Sequence, residues 1–82
     1  MGTPNDCQVD KRALLRALGQ RLRARRLALS LTQQELAAKI GIHYTFLGHI
    51  EKGRRLPSVL ILIRIAQAVQ VPLTQLICPC LK

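Results

Sequence analysis

Apolar side chains recur along the chain from Asp10 with the spacing of an α-helix rather than that of a strand. Successive helical residues are rotated by about 100°, so residues three, four and seven positions apart share a face. The positions that fall within one arc of roughly 80° are Leu15, Leu18, Leu22, Arg26 and Leu29. The pattern predicts a first helix over about residues 10–29, with a buried stripe that includes one charged residue.

A complete start signal for a second helix follows. Thr32 is a favourable N-cap, and Glu35 three residues later completes a capping box. Leu31 and Leu36 have the spacing of a hydrophobic staple. Gly41 ends the helix, because glycine adopts the left-handed conformation without steric cost. We expect three side chains of this helix to face inward, namely Leu36, Ala37 and Ile40.

The helical period resumes after this glycine with Leu47 and Ile50, and His43 stands at the N-cap position. Gly53 ends this third helix, which we expect over about residues 43–52.

Two further helices are predicted toward the C-terminus. Ser58 can cap a fourth helix over about residues 58–70. A short fifth helix is expected over about residues 73–78, and Pro79 ends it.

Five short helices with short links, and no strand pattern, predict a compact all-α fold. A chain of 82 residues has room for one core. We therefore expect a flexible tail over residues 1–9 and a single domain over residues 10–82. Helices 2 and 3, joined by a tight turn, have the helix-turn-helix arrangement, whose second helix can enter a DNA major groove.

The charge of the chain is strongly unbalanced, with 13 Lys and Arg residues against four Asp and Glu and a net charge of +9. Such a balance favours a polyanionic partner, either nucleic acid or an anionic membrane surface, over a merely solvated basic surface. No stretch approaches the roughly 20 apolar residues of a membrane span, and no secretory signal is visible. The odd number of cysteines, at positions 7, 78 and 80, is typical of a reducing cytoplasm.

Residues 31–58, LTQQELAAKIGIHYTFLGHIEKGRRLPS, resemble the phage-repressor and Cro-type helix-turn-helix family. The positions that match its pattern are Thr32, Gln33, Leu36, Ala37, Ile40, Gly41, Ile42, Leu47, Ile50, Glu51, Gly53, Pro57 and Ser58. The resemblance implies a five-helix lambda-repressor-like domain that binds double-stranded DNA sequence-specifically, usually as a homodimer on an inverted repeat. Short members of the family include controllers of restriction–modification operons.

A buried ion pair is expected between Arg26 and Glu51. The resemblance implies it, because both residues occupy the matching positions of the family. The pattern of the chain agrees independently, since Arg26 lies inside the apolar stripe of helix 1, where an unpaired charge would be costly. The alternative is that both side chains are solvated.

The resemblance also implies which residues contact DNA. With Leu47 and Ile50 inward, the expected base contacts are Tyr44, Thr45 and His49. The expected phosphate contacts are Gln33, His43, Lys52, Arg54 and Arg55. Further candidates for phosphate contact on helix 1 are Arg21, Arg23 and Arg25.

The resemblance implies which positions of helix 4 face the core, namely Val59, Leu62, Ile65, Ala66 and Val69. Leu60 and Ile61 stand where the family commonly has polar residues, so helix 4 is apolar nearly all round and its second face must be buried against something. We expect a two-fold interface between two copies of the chain, formed by Leu60, Ile61, Ile77 and Leu81. The alternative is that helix 1 or the tail covers this face.

Other functions explain the sequence less well. An amphipathic membrane-surface helix over residues 11–29 would leave the capping box and the glycine turn unexplained. An antitoxin or adaptor could use the same domain mainly to bind protein. Four carboxylates and no nucleophile–base arrangement argue against an enzyme. Cys78 and Cys80 alone fall short of a zinc site. The expected partners are therefore double-stranded DNA and a second copy, with no cofactor, metal, membrane or small-molecule ligand.

Overall fold

The computed structural model describes residues 10–77, which form five helices and no strand. The helices are α1 (Lys11–Ala28), α2 (Gln33–Ile40), α3 (Tyr44–Glu51), α4 (Val59–Val69) and α5 (Leu73–Ile77). The predicted all-α architecture is confirmed over this span, with helix ends within one or two residues of those expected. The predicted tail, the three cysteines and Leu81 lie outside the described residues.

The predicted N-terminal caps start the helices where the sequence places them. In the capping box of α2, the Glu35 N–H donates to Thr32 Oγ1 at 3.0 Å and the Thr32 N–H donates to Glu35 Oε1 at 2.9 Å. The Ser58 hydroxyl accepts from the Ile61 N–H at 3.3 Å at the start of α4. These contacts satisfy backbone donors that have no partner within a helix.

Gly41 makes the turn between α2 and α3. Its φ is +89°, and its N–H donates to the Ala37 carbonyl at 2.8 Å. A side chain is strained in this left-handed conformation, so glycine permits a connection of only three residues between the two helices.

The helices enclose one core. Its buried apolar residues are Leu18, Leu22, Leu36, Ala37, Ile40, Leu47, Ile50, Leu62, Ile65, Ala66, Val69 and Leu76. α3 packs against both α1 and α2, while α4 and α5 close the other side of the domain. One side of α3 is therefore buried, and its opposite side is left for solvent. None of the helices in the described span is long and apolar enough to cross a membrane.

α4 has the expected orientation, with Leu62, Ile65, Ala66 and Val69 buried, but one expected core position differs. Val59 is 68% exposed rather than buried, and Ile61, which was expected in the two-fold interface, is partly buried against the core of its own chain. The stripe that faces the core is set by Leu62, Ile65 and Val69. Val59 lies in the first turn, on the flank of this stripe, where no neighbouring element covers it.

Gly19 allows an unusually close approach between α1 and the end of α3. A Cβ at this position would lie 2.6 Å from the Ile50 carbonyl oxygen and closer still to that of Glu51. Both obstacles are backbone atoms of a buried helix end, which cannot move independently of α3. The absence of a side chain at Gly19 therefore sets the distance between these two helices.

We predict that Gly19→Ala destabilises the domain, although alanine is the better helix former. Overpacking costs about 1–3 kcal/mol, against a gain in helix propensity of about 1 kcal/mol. Gly48→Ala is the matched control, because a Cβ there has only an ordinary contact, 3.6 Å from Gln33 Oε1. Urea unfolding followed by circular dichroism should give a lower midpoint for Gly19→Ala than for Gly48→Ala. Equal or reversed midpoints would show that the helices do not meet this closely.

Candidate nucleic-acid interface

The three residues expected to contact bases lie on the outer side of α3. Leu47 and Ile50 are fully buried, whereas Tyr44, Thr45 and His49 are exposed. The buried pair fixes the rotation of the helix, since residues three and four positions apart share a face. The structure therefore brings these three polar side chains to one surface.

His43 and Thr45 organise the start of α3. The His43 ring accepts the Thr45 N–H at Nδ1 over 3.2 Å, and the same Nδ1 lies 2.7 Å from Thr45 Oγ1. The ring also stacks on Tyr44, with 4.8 Å between centroids and 24° between planes. The predicted N-cap role of His43 is confirmed, and three neighbouring side chains form one ordered group at the tip of the helix.

A buried ion pair joins α1 to the end of α3. Arg26 Nε donates to Glu51 Oε2 at 2.6 Å, and Arg26 Nη2 donates to Glu51 Oε1 at 3.1 Å. The residues are 7% and 8% exposed. Arg26 Nη1 also donates to the Leu31 carbonyl at 2.8 Å, just before α2. The two expected partners are thus in bidentate contact, and the same guanidinium holds the entry to α2.

Gln33 has a contact that the sequence did not indicate. Its Nε2 donates to Glu51 Oε1 at 3.0 Å, and its side chain lies beside Gly48. One of the two amide hydrogens of its side chain is therefore used inside the domain, so only the other is left for the expected phosphate contact. Its backbone N–H belongs to the first turn of α2, where an amide has no partner within the helix. No sequence signal could have revealed this contact, because Gln33 and Glu51 lie 18 positions apart and are brought together only by the packing of α2 and α3.

Three of the expected phosphate ligands follow α3 and are exposed, namely Lys52, Arg54 and Arg55. The Arg54 N–H donates to the His49 carbonyl at 2.9 Å, which ties the start of this loop to the last turn of α3. Positive charge therefore stands at the C-terminal end of α3 and in the loop that follows it.

Two arginines of α1 make contacts within the domain that the sequence did not indicate. Arg25 donates to the Val69 carbonyl from Nε at 3.2 Å and from Nη2 at 3.0 Å. Arg21 Nη1 donates to the Gln75 carbonyl at 3.1 Å. Carbonyls near the C-terminal end of a helix lack partners and attract cations. Arg21 and Arg25 thus join α1 to the ends of α5 and α4. Phosphate contact by these two arginines, and by the exposed Arg23, stays a prediction.

The expected dimer surface is only partly exposed. Leu60 is 57% exposed, whereas Ile61 and Ile77 are half-buried and pack against the core of their own chain. Leu81 lies outside the described residues. The large apolar side chains exposed on and before α4 form what we call the α4 patch, defined as Leu56, Val59, Leu60 and Ile63.

Residues 22–76 match the helix-turn-helix family. The chain belongs to this family. It is 37% identical over 71 residues to the uncharacterized HTH-type transcriptional regulator y4dJ of Sinorhizobium fredii, a match that covers 87% of this chain and 88% of that protein. It is also 38% identical over 61 residues to the uncharacterized HTH-type transcriptional regulator YazB of Bacillus subtilis, covering 74% of this chain and 88% of that protein.

A solved structure shares the arrangement of helices. The crystal structure of the restriction-modification controller protein C.AhdI from Aeromonas hydrophila superposes with a TM-score of 0.72 at 34% identity, over 76% of this chain and 94% of that chain. The predicted lambda-repressor-like fold and the family resemblance are confirmed. The family is one of DNA-binding transcriptional regulators, a class that is not typically enzymatic.

We predict that Arg26→Met lowers the free energy of unfolding by about 3–5 kcal/mol, because it leaves the Glu51 carboxylate buried without its partner. The double variant Arg26→Met/Glu51→Met should recover much of this loss, since neither charge then remains inside. Arg23→Met is the control, because Arg23 is exposed on the same helix and surface changes stay within about 0.5 kcal/mol. Thermal unfolding checks the set, and additive losses in the double variant would contradict a coupled pair.

Proposed function

We propose that this chain is a sequence-specific transcriptional regulator that binds an inverted-repeat operator in double-stranded DNA as a homodimer, with α3 in the major groove. The observation that carries the proposal is the exposed group Tyr44, Thr45 and His49 on the outer side of a helix whose other side is fully buried. A helix held in this way can present side chains to base edges without losing core contacts.

The charges around α3 support a DNA partner. Lys52, Arg54 and Arg55 follow the helix, and the first turn of α2 offers the Gln33 backbone N–H on the neighbouring element. Helix N-termini and arginines are typical ligands of backbone phosphates. His43 adds a ring at the tip of α3. We propose these five residues as the phosphate contacts that position α3. We also propose a cytoplasmic location, which is consistent with a DNA-binding regulator.

DNA binding explains more of the structure than a protein-binding adaptor does. An adaptor requires neither a net charge of +9 nor a polar helix side flanked by cations. The similarity to C.AhdI makes control of a restriction–modification operon one concrete candidate for the biological role.

The α4 patch supports the homodimer. Four large apolar residues that are 41–68% exposed lie within eight positions of the chain. Grouped apolar side chains of this size mark interaction surfaces more often than singly exposed ones do. We propose that a second copy covers the α4 patch. The proposed interface therefore consists of Leu56, Val59, Leu60 and Ile63, and it no longer includes the partly buried Ile61 and Ile77.

We predict that Arg54→Ala reduces the slope of log affinity against log salt by about one unit, because one phosphate contact is lost. Lys39→Ala is the matched control: it removes the same charge from the C-terminal end of α2, beside Arg64 and away from the proposed contacts. Duplex binding is measured by fluorescence anisotropy over a salt series. Equal changes in slope for both variants would indicate general charge attraction, and no duplex binding by the unmodified protein would refute the function.

We predict that the unmodified chain is dimeric in sedimentation equilibrium without DNA and that Leu60→Glu makes it monomeric, because a charge would be buried in the interface. Leu27→Glu is the control, since Leu27 is similarly exposed at 52% but lies on α1. A dimer should bind half-sites with centres about 10–10.5 base pairs apart. A monomeric unmodified chain, or equal effects of both variants, would exclude the α4 patch as the interface.

A further inference from the structure

Thr45 is the exposed residue of α3 whose hydrogen-bonding role is most constrained by its neighbours. A threonine hydroxyl can both donate and accept, so in isolation it does not discriminate between base edges. In this structure the hydroxyl lies 2.7 Å from His43 Nδ1, and the Thr45 backbone N–H reaches the same nitrogen at 3.2 Å. Whether that nitrogen carries a hydrogen decides whether the Thr45 hydroxyl can donate a hydrogen bond to DNA or only accept one.

The backbone contact settles which way the hydrogen bonds run. An amide N–H can only donate, so His43 Nδ1 must be an acceptor and carries no hydrogen. The neutral ring then has its hydrogen on Nε2. With Nδ1 unprotonated, the contact at 2.7 Å requires the Thr45 hydroxyl to be the donor.

The consequence concerns the lone pairs of Thr45. Once its single hydrogen points at His43, the hydroxyl faces any other partner as an acceptor only. In the major groove the hydrogen-bond donors are the N6 amino group of adenine and the N4 amino group of cytosine. Guanine and thymine present acceptors on that edge. An acceptor-only hydroxyl therefore favours adenine or cytosine on the strand that it faces.

We propose that His43 acts as a positioning residue that fixes Thr45 as a hydrogen-bond acceptor, so that Thr45 selects adenine or cytosine at one position of each half-site. The inference rests on the proposed DNA-binding function. It goes further because it specifies that Thr45, one of the three proposed base contacts, acts only as a hydrogen-bond acceptor. A serine at the N-cap would bond through its own hydroxyl to a backbone N–H, and it would leave the Thr45 hydroxyl free to donate.

Selection of bound fragments from a random duplex library tests this polarity. The unmodified protein should enrich adenine or cytosine at one position per half-site, by roughly 3- to 10-fold, the discrimination expected of one neutral hydrogen bond. Thr45→Val keeps the shape and removes the hydroxyl, and it should abolish the preference at that position alone. His43→Ser should admit guanine or thymine there. Thr74→Val, the same change on α5, should leave the selected sequence unaltered.

Two results would overturn the inference while leaving the proposed function intact. One is an enriched sequence that does not change in Thr45→Val, and the other is a Thr45-dependent preference for guanine or thymine. A library from which the unmodified protein enriches nothing would overturn the proposed function and the inference with it.

The free protein supplies a test that needs no DNA. Nitrogen-15 spectra of the imidazole in mildly alkaline solution should show the His43 hydrogen on Nε2, with a shift of the Nδ1 signal in Thr45→Val. Observation of the hydrogen on Nδ1 would overturn the proposed polarity.

Discussion

The carboxylate of Glu51 is the point on which the arrangement of α1, α2 and α3 depends. An acid at the C-terminal end of a helix is disfavoured by the helix dipole, and burial makes its charge costlier still. Here the carboxylate accepts from Arg26 through two nitrogens and from the Gln33 side chain as a third donor. Arg26 uses its remaining nitrogen to hold the Leu31 carbonyl before α2. One buried charge pair therefore connects three helices. Removal of either charged residue would leave the other buried without its partner.

The apolar contacts act in the same direction as this pair. Gly19 lets the carbonyls of Ile50 and Glu51 lie directly against α1, so the end of α3 is fixed by backbone contact as well as by charge. Leu47 and Ile50 fill the core from the same helix. Such a helix has no freedom to rotate, because rotation would move a charge, two apolar side chains and a close backbone contact at once. The direction in which Thr45 and His49 point is thus a property of the whole domain.

Local chemistry in the sequence is enough to predict the helix starts and the turn at Gly41, and it indicates that Arg26 needs a buried partner. The family resemblance identified Glu51 as that partner. Each signal lies within a few residues, or in a charge that falls inside an apolar stripe. The contacts of Gln33 and Arg25 could not be predicted in this way. Arg25 reaches a carbonyl 44 residues away, and only the packed arrangement of α1 and α4 brings the two together. Four of the five expected core positions of α4 are buried, whereas the exposure of Val59 could not be predicted, because it depends on whether a neighbouring element covers the first turn.

In the proposed complex with DNA, the residues that supply affinity are separate from those that supply specificity. The proposed base contacts Tyr44, Thr45 and His49 are neutral or weakly basic. The permanent charges of Arg54 and Arg55 lie in the loop that follows α3. Phosphate contacts supply most of the affinity and its salt dependence, and base edges supply the discrimination. Because the His43 ring, Tyr44 and Thr45 are already ordered against one another, little side-chain entropy remains to be lost on binding. A small neutral reading group can then discriminate through the direction of its hydrogen bonds, without the charge-assisted contacts that an arginine would make.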